Sequence, residues 1–463
     1  MMKIKGCCVL LIAAVLLGAA AEVHVTEPVF AAGKSQAEDA IASDLSAFGK
    51  NTKCDSVSAV TYADGKLCYY GDSKGLYRIG SMTKAFTGLA VMKLIDEGAF
   101  TGESSLSDLI PGFEVFFNGT PAKITVNELL MQKSGFTNDE NVYPAPSPDM
   151  TLAEWAGSVS GRRLQSAPGS VYAYSNVNYN LLGYLIERVS NMSYQDYMEQ
   201  SILRPLGLMH TYAGEPDDGE RIIQGTRLGF RHAFACSFPV AEAAIPAGYF
   251  YASAEDMGRW IRILTGAEET GEPYSRLIAS VKEHLMSEGD YFAGWERFAG
   301  GRIGHSGGTA DYSARIVFPD DGSAGVCVLT NLNVAASTDS LCNRLLDRLQ
   351  GQEPGDIQTD VWTVFDLIFT VLLIAGILWS VIFMRFHKRS ALILSSGLTA
   401  GLLASILIVM PLAFGAGLGP LLMKWSPYSF GATVAVLGID LLLALIRCFA
   451  GLKRSREPDG TRR

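Results

Sequence analysis

A serine and a lysine three residues apart, Ser81-Met82-Thr83-Lys84, open a run too apolar for a solvated helix face, Ala85-Phe86-Thr87-Gly88-Leu89-Ala90-Val91-Met92. Residues three apart share one side of a helix, so the Lys84 amine can reach the Ser81 hydroxyl. A serine hydroxyl is a poor nucleophile until a neighbouring base takes its proton. Lysine can be that base when burial or nearby positive charge lowers its pKa. Ser81 is expected in the first helical turn, at the positive end of the helix dipole. Two later blocks fit the same chemistry. Tyr174-Ser175-Asn176 offers a phenol to relay a proton to a leaving group, and an amide, Asn176, to orient Lys84 and the substrate. His305-Ser306-Gly307-Gly308 precedes a strand-like run, and its glycines let a substrate lie against a strand edge. There the Gly308 N–H can join the Ser81 N–H as an oxyanion hole. Ser81, Lys84 and Tyr174 are thus the expected catalytic residues, and Asn176, His305, Ser306, Gly307 and Gly308 the expected substrate-binding residues.

Each block alone has an ordinary explanation: an N-cap serine beside a snorkelling lysine, a packed aromatic in a tyrosine-rich loop, a structural histidine near glycines. Their succession along one chain is what favours chemistry. No metal or other cofactor is expected. The six histidines include no H-E-x-x-H, no cysteine pair has zinc spacing, and Ser-Lys-Tyr chemistry needs neither.

In order and spacing the three blocks resemble the serine β-lactamase and penicillin-recognising peptidase superfamily, in its class C-like branch, which also holds D-amino-acid peptidases and esterases. Leu129-Leu130-Met131-Gln132-Lys133-Ser134-Gly135 is similar to that family's L-L-x-H-T-S-G segment, with Gln-Lys in place of His-Thr. Pro205-Leu206-Gly207-Leu208-Met209-His210-Thr211, the stretch from Ala247 to Met257, and Gly325-Val326-Cys327-Val328-Leu329-Thr330-Asn331 match further family segments. The resemblance runs from about residue 38 to about residue 350. It implies an α/β (α+β) serine β-lactamase-like fold, an antiparallel sheet flanked by helices with a helical lobe, and an acyl site between sheet and lobe. It also implies that Ser81, Lys84 and Tyr174 carry the chemistry. Where β-lactamases often have Lys, this chain has His305, which turns the expectation toward peptidase or esterase relatives.

The rest of the chain concerns placement. Lys3 and Lys5 precede an apolar stretch that resembles a secretory signal within residues 1–31, with cleavage options after Ala21 or Ala31. The hydrolase domain is expected over 33–350 and a linker over 351–360. Three spans follow, 361–384, 391–414 and 428–446, each long enough to cross about 30 Å of hydrocarbon, with a basic tail over 448–463. Arg385, Lys388 and Arg389 lie between the first two spans, and Arg447, Lys453, Arg454 and Arg456 follow the third. By the positive-inside rule these face the cytoplasm, which puts the catalytic domain outside. Residues 1–360 carry 28 Lys and Arg against 43 Asp and Glu, and residues 361–463 carry 10 against 4. An acidic outer domain argues against nucleic acid as a partner. The expected partners are a small peptide-like or acyl substrate and the membrane.

Among the elements that must position the site, a helix is expected over 38–48 and a hairpin around Asp64-Gly65 in which Cys68 faces Thr61. Gly98 should stop the Ser81 helix. The turn-rich stretch 214–244 should shape specificity, strands should return near Gly304, and a last helix should cover 337–349. Five cysteines, Cys54, Cys68, Cys236, Cys327 and Cys342, lie in the outer part, and an odd number cannot all pair within one chain. The expected function is a membrane-anchored serine hydrolase working through a Ser81 acyl-enzyme on amide or ester bonds. A D-amino-acid-directed peptidase leads; membrane-tethered relatives with three C-terminal spans include enzymes that remove an N-acyl-D-amino-acid cap from a natural-product precursor, and cell-wall peptide trimming competes. A β-lactamase or esterase of the same family, and a penicillin-binding or sensor protein without turnover, stay open.

Overall fold

A computed structural model describes residues 36–216, 219–287, 289–383, 389–414 and 417–454. The expected signal segment and the end of the basic tail lie outside the described residues.

Seven antiparallel strands form the main sheet, in the order Tyr291–Phe292, Trp295–Phe298, Arg302–Gly308, Ser313–Pro319, Ala324–Thr330, Val57–Ala63, Lys66–Tyr70. Ser313–Pro319 and Ala324–Thr330 are buried at every position. They read as unbroken apolar runs because both faces of the sheet are covered. On one face lie the helices Gln36–Thr52 and Ala335–Leu349, tied by Asp44 to Arg344 and Arg348 at 3.0 and 2.5 Å. On the other face a larger core holds the helices Thr83–Asp96 and Ala254–Thr265 and the helical lobe with Leu152–Val159 and Asn176–Ser190. A second sheet joins Leu76–Arg78 and Thr211–Ala213 to the two sides of Phe250–Ser253.

The first hairpin turns through Asp64 and Gly65, both at positive φ as a two-residue type I′ turn requires, and Thr61 pairs with Cys68. Cys54, Cys236, Cys327 and Cys342 are free thiols. Two expectations need correcting. The helix begins at Thr83, so Ser81 lies in a separate 3-10 turn, Gly80–Met82. Gly80 at φ 53° is the reason, because a left-handed residue breaks the helical path. Short strands such as Thr211–Ala213 and Phe250–Ser253 precede Gly304, and the main sheet itself resumes at Tyr291. The short first pair there escapes a period-2 search because Ala293-Gly294, both at positive φ, interrupts it.

Three helices long and apolar enough to cross a membrane follow, with apolar segments Val361–Ile382, Ser390–Phe414 and Tyr428–Arg447. Leu394, Leu398 and Leu412 stand exposed on the second of them. Inside, Trp362 stacks on Phe414 with ring centroids 4.5 Å apart, and Phe369 meets Phe430 at 4.9 Å. Between the second and third helices, Leu418–Pro420 is helical and runs into the turn Leu421–Trp425.

Candidate active site

Close backbone contact creates the site. An added Cβ at Gly307 would lie 1.9 Å from the Ile79 carbonyl oxygen, and one at Gly80 would lie 2.3 Å from the Gly308 nitrogen. Only glycine lets the Ser81 turn rest this closely on the Arg302–Gly308 strand. The Thr309 N–H donates to the Tyr312 carbonyl at 2.9 Å. Hydrogen-bonded pairs alternate along an antiparallel ladder, so the Gly308 N–H turns to the opposite edge. Pairing with Trp295–Phe298 ends at Gly304, which leaves His305 to Gly308 with a free edge beside Ser81. The backbone of the Ser81 turn therefore lies beside the Gly308 N–H.

Lys84 is fully buried in the helix that starts at Thr83. Its Nζ lies 3.0 Å from Ser81 Oγ, 2.8 Å from Asn176 Oδ1 and 2.6 Å from the Ala247 carbonyl oxygen. Burial pulls its pKa well below the ordinary lysine value, and the Glu296 carboxylate opposes this more weakly. A neutral amine has two N–H bonds and one lone pair. The amide and carbonyl oxygens can only accept, so they take the N–H bonds and leave the lone pair to the Ser81 hydroxyl.

Tyr174 and Asn176 flank Ser175, which caps the helix Asn176–Ser190 by accepting from the Val177 N–H. Gln132 Oε1 accepts from the Ser175 N–H at 3.0 Å, the Gln132 carbonyl accepts from Ala173, and Asn138 Oδ1 accepts from the Asn176 N–H at 2.8 Å. The Tyr174 ring centroid is 4.9 Å from Lys84 Nζ. Burial pushes the Tyr174 phenol well above its usual pKa, and a hydrogen bond with the Ser81 hydroxyl pulls the other way. The phenol therefore stays protonated at neutral pH, with Lys84 the group able to accept a proton.

His305 is buried at the site, and Ser306 differs from the role expected of it. His305 is 2% exposed. Its Nδ1 lies 2.6 Å from the Ser306 carbonyl oxygen, and its Nε2 3.5 Å from the Tyr291 hydroxyl and 3.9 Å from Glu296. Burial, helped by the nearby Lys84, lowers its pKa to about 3, so the imidazole is neutral where an exposed histidine would titrate. Ser306 points to the opposite face of the sheet, where its hydroxyl donates to Asp339 at 2.9 Å and accepts from Arg315 at 2.6 Å. Side chains alternate along a strand, so His305 and Ser306 cannot both face Ser81. The structure thus gathers Ser81, Lys84, Tyr174, Asn176, His305 and the Gly307-Gly308 backbone, and sends the Ser306 side chain elsewhere.

Sequence reasoning missed several supports. Gly294 would drive a Cβ to 2.2 Å from the Lys84 carbonyl carbon, so the turn it forms presses on the helix at Lys84. Tyr291 stacks edge-on to Tyr174 at 6.1 Å. With Tyr172, Glu296, Met131, Lys133 and Arg297 it lines a cavity of about 470 Å³. Ala247 contributes only its carbonyl, which no side-chain pattern reveals.

Residues 41–350 match the Beta-lactamase family, and the chain belongs to it. It is 27% identical over 406 residues to Protein flp of Staphylococcus aureus (strain N315), covering 80% of this chain and 79% of that protein. It is 33% identical over 191 residues to D-alanyl-D-alanine-carboxypeptidase/endopeptidase AmpH of Escherichia coli (strain K12), covering 40% of this chain and 48% of AmpH. Among solved structures, the octameric penicillin-binding protein homologue from Pyrococcus abyssi superposes with a TM-score of 0.59 at 22% identity, over 72% of this chain and 81% of that one. The β-lactamase/D-alanine carboxypeptidase from Pseudomonas syringae gives 0.59 at 19% identity, over 69% and 100%. The chain has the serine-hydrolase fold of β-lactamases and penicillin-binding proteins, followed by three helices able to span a membrane.

Proposed function

We propose that this chain is a membrane-anchored extracytoplasmic serine hydrolase that cleaves amide or ester bonds through a Ser81 acyl-enzyme. The observation that carries the proposal is the Lys84 amine, buried, shifted toward its neutral form and 3.0 Å from the Ser81 hydroxyl. Ser81 Oγ attacks the substrate carbonyl carbon as its proton passes to Lys84 Nζ. The N–H groups of Ser81 and Gly308 receive the developing oxyanion. The leaving amine or alcohol takes the Tyr174 phenol proton, and the proton held by Lys84 restores the phenol. Water then attacks the acyl carbon and gives up a proton by the same route reversed, and the acid leaves as Ser81 regains its hydrogen.

The free edge of His305 to Gly308 suits an extended, peptide-like substrate that pairs its backbone with a strand. We favour a D-amino-acid-directed peptidase, acting on a natural-product precursor or a cell-wall peptide. The name of the similar AmpH supports that class. His305 supports it over a β-lactamase, because a buried neutral imidazole offers no permanent cation to a drug carboxylate. The basic residues around the three spans support an outer catalytic domain.

The test uses full-length protein with a fluorophosphonate probe, a fluorescent penicillin, and peptides carrying a D-residue on either side of the scissile bond. Ser81→Ala should abolish labelling and lower hydrolysis by about 10⁴ to 10⁶ with the fold intact. Labelling of that variant at the wild-type rate removes Ser81 from the mechanism. A penicillin adduct that never turns over, with no peptide cleaved, makes the protein a binder.

A further inference from the structure

The stretch between the second-sheet strands Thr211–Ala213 and Phe250–Ser253 contains a hairpin, Thr226–Gly229 paired with His232–Ala235. Its two-residue turn is Phe230-Arg231, at φ 52° and 64°. Such a turn ordinarily uses Asn-Gly, since a bulky residue at positive φ is strained. Strain of this kind persists only where surrounding structure over-determines it. Here Asp366, fully buried in the first membrane helix, accepts from the Phe230 and Arg231 N–H groups, each at 2.8 Å. A third bond, at 2.7 Å from the Ser429 hydroxyl, fixes the carboxylate to the third helix.

Arg227, on the same hairpin, is 5% exposed. Its guanidinium donates to the carbonyls of Leu422, Met423 and Ser426 at 2.8, 2.8 and 2.6 Å, and lies 4.5 Å from the Tyr428 ring centroid. These are carbonyls at the end of a short helical segment, where backbone acceptors lack partners of their own. The membrane bundle thus grips both ends of the hairpin.

The hairpin's base leads to the site. Thr226 donates its N–H to the Asn331 carbonyl at 2.8 Å, and an added Cβ at Gly225 would lie 2.8 Å from Asp311 Oδ2. Asp311 in turn pairs with Arg78 at 3.2 Å, with both side chains almost wholly buried. Arg78 also donates to the Tyr251 hydroxyl at 2.6 Å and to the Phe238 carbonyl at 3.0 Å. Arg78 stands three residues before Ser81, and Asp311 three residues after Gly308. This ion pair joins the two backbone segments whose N–H groups form the oxyanion corner.

We propose that Arg227 and Asp366 are positioning residues through which the membrane bundle holds the Arg78–Asp311 pair, and hence the Ser81 and Gly308 N–H groups, in register. The proposal rests on the reading of Ser81 as nucleophile. It makes the three helices part of the catalytic geometry as well as an anchor.

The test measures, for full-length protein in nanodiscs, the maximal rate constant and half-saturating concentration of fluorophosphonate labelling, together with thermal unfolding. The set is wild type, Asp366→Asn, Arg227→Ala, Arg227→Lys and the outward-facing control Leu412→Ala. Asn at 366 keeps the shape but sets an NH₂ against one of the two backbone donors. Asp366→Asn and Arg227→Ala should each lower the maximal rate constant at least tenfold with the half-saturating concentration nearly unchanged. Arg227→Lys should recover part of the rate, and Leu412→Ala should match wild type. If the variants lose only folded fraction while the folded fraction labels at the wild-type rate, the coupling is overturned and the Ser81 reading survives. If wild type itself does not label, both fall. Should Arg227→Ala fail to fold, the nearly isosteric Asp366→Asn still decides the matter.

Discussion

Gly307→Ala should disable the site while Gly308→Ala, one residue on, should not. At Gly307 the new Cβ would lie 1.9 Å from the Ile79 carbonyl oxygen, 2.8 Å from its carbon and 3.3 Å from the Gly80 Cα. All three are backbone atoms, and they belong to the turn that carries Ser81. Neither segment can relax by rotating a side chain, so a normal contact returns only when turn and strand separate by roughly 1 Å, a displacement that can cost 10²-fold in rate at a catalytic site. Losing one oxyanion donor costs about 10² to 10³ in kcat, so the expected fall lies in that range. Stability should fall by about 1 to 3 kcal/mol, the usual penalty for overpacking. Gly308 has nothing within 4 Å of its added Cβ and keeps its N–H, so its alanine variant should label near the wild-type rate. Stopped-flow labelling of both variants with a fluorophosphonate, normalised to folded protein by thermal unfolding, gives the comparison. Equal rates for the two variants would refute the claim that backbone apposition at Gly307 builds the oxyanion corner.

Lys84→Met tests the buried base through stability. Because the folded-state pKa of Lys84 is lowered, the unfolded chain binds the extra proton below the ordinary lysine pKa, so the penalty is present at neutral pH and fades as pH rises toward about 10. Wild type should therefore gain stability relative to Lys84→Met between pH 7 and 10 in denaturant titrations, and a flat difference would mean that Lys84 stays protonated when folded. His305, with its pKa down near 3, should give no inflection between pH 6 and 7 in kcat/KM, and an inflection there abolished by His305→Gln would contradict its burial. Asp440 accepts from the Ser380 hydroxyl across the first and third membrane helices and is 6% exposed. Asp440→Leu should loosen the bundle and lower the activity of the full-length protein, and unchanged turnover and detergent-solubilised mass would assign it no structural role.

The sequence was most informative where one local rule determines the geometry. The Asp64-Gly65 turn fixed its hairpin and the Thr61–Cys68 register, because that turn type dictates which residues pair. Gly98 ends the Thr83–Asp96 helix at positive φ as expected. The three long apolar runs give helices whose ends fall within a few residues of those expected, apart from the third, which continues past 446 to Arg454. Ser81 and Lys84 could be brought together on paper because they stand three residues apart, whereas Tyr174 and Asn176 joined them through the resemblance of their block to the family's. Other features depend on contacts between distant segments. Ser306 was misplaced because strand phase, not residue type, decides which face a side chain takes, and the phase is set by the pairing of His305 with Ile316 and Ser306 with Arg315.

The hairpin at 226–235 was the hardest feature to read, and the reason is physical. Its turn carries Phe-Arg where the local rule wants Asn-Gly, so turn-residue preference argued against a two-residue hairpin at that point. What stabilises the turn is a carboxylate from residue 366, more than a hundred positions away, lying in a helix whose composition announces only a membrane span. An aspartate in such a helix is costly unless it has partners, and Asp366 has three donors. The acid in an apolar helix and the strained turn are each anomalous alone, and each supplies what the other lacks. Intramembrane acids and turns with the wrong residues are therefore worth pairing when a sequence of this kind is first read. In this chain such a pair fastens the hydrolase domain to the three apolar helices, and the contacts lead on to the residues beside Ser81.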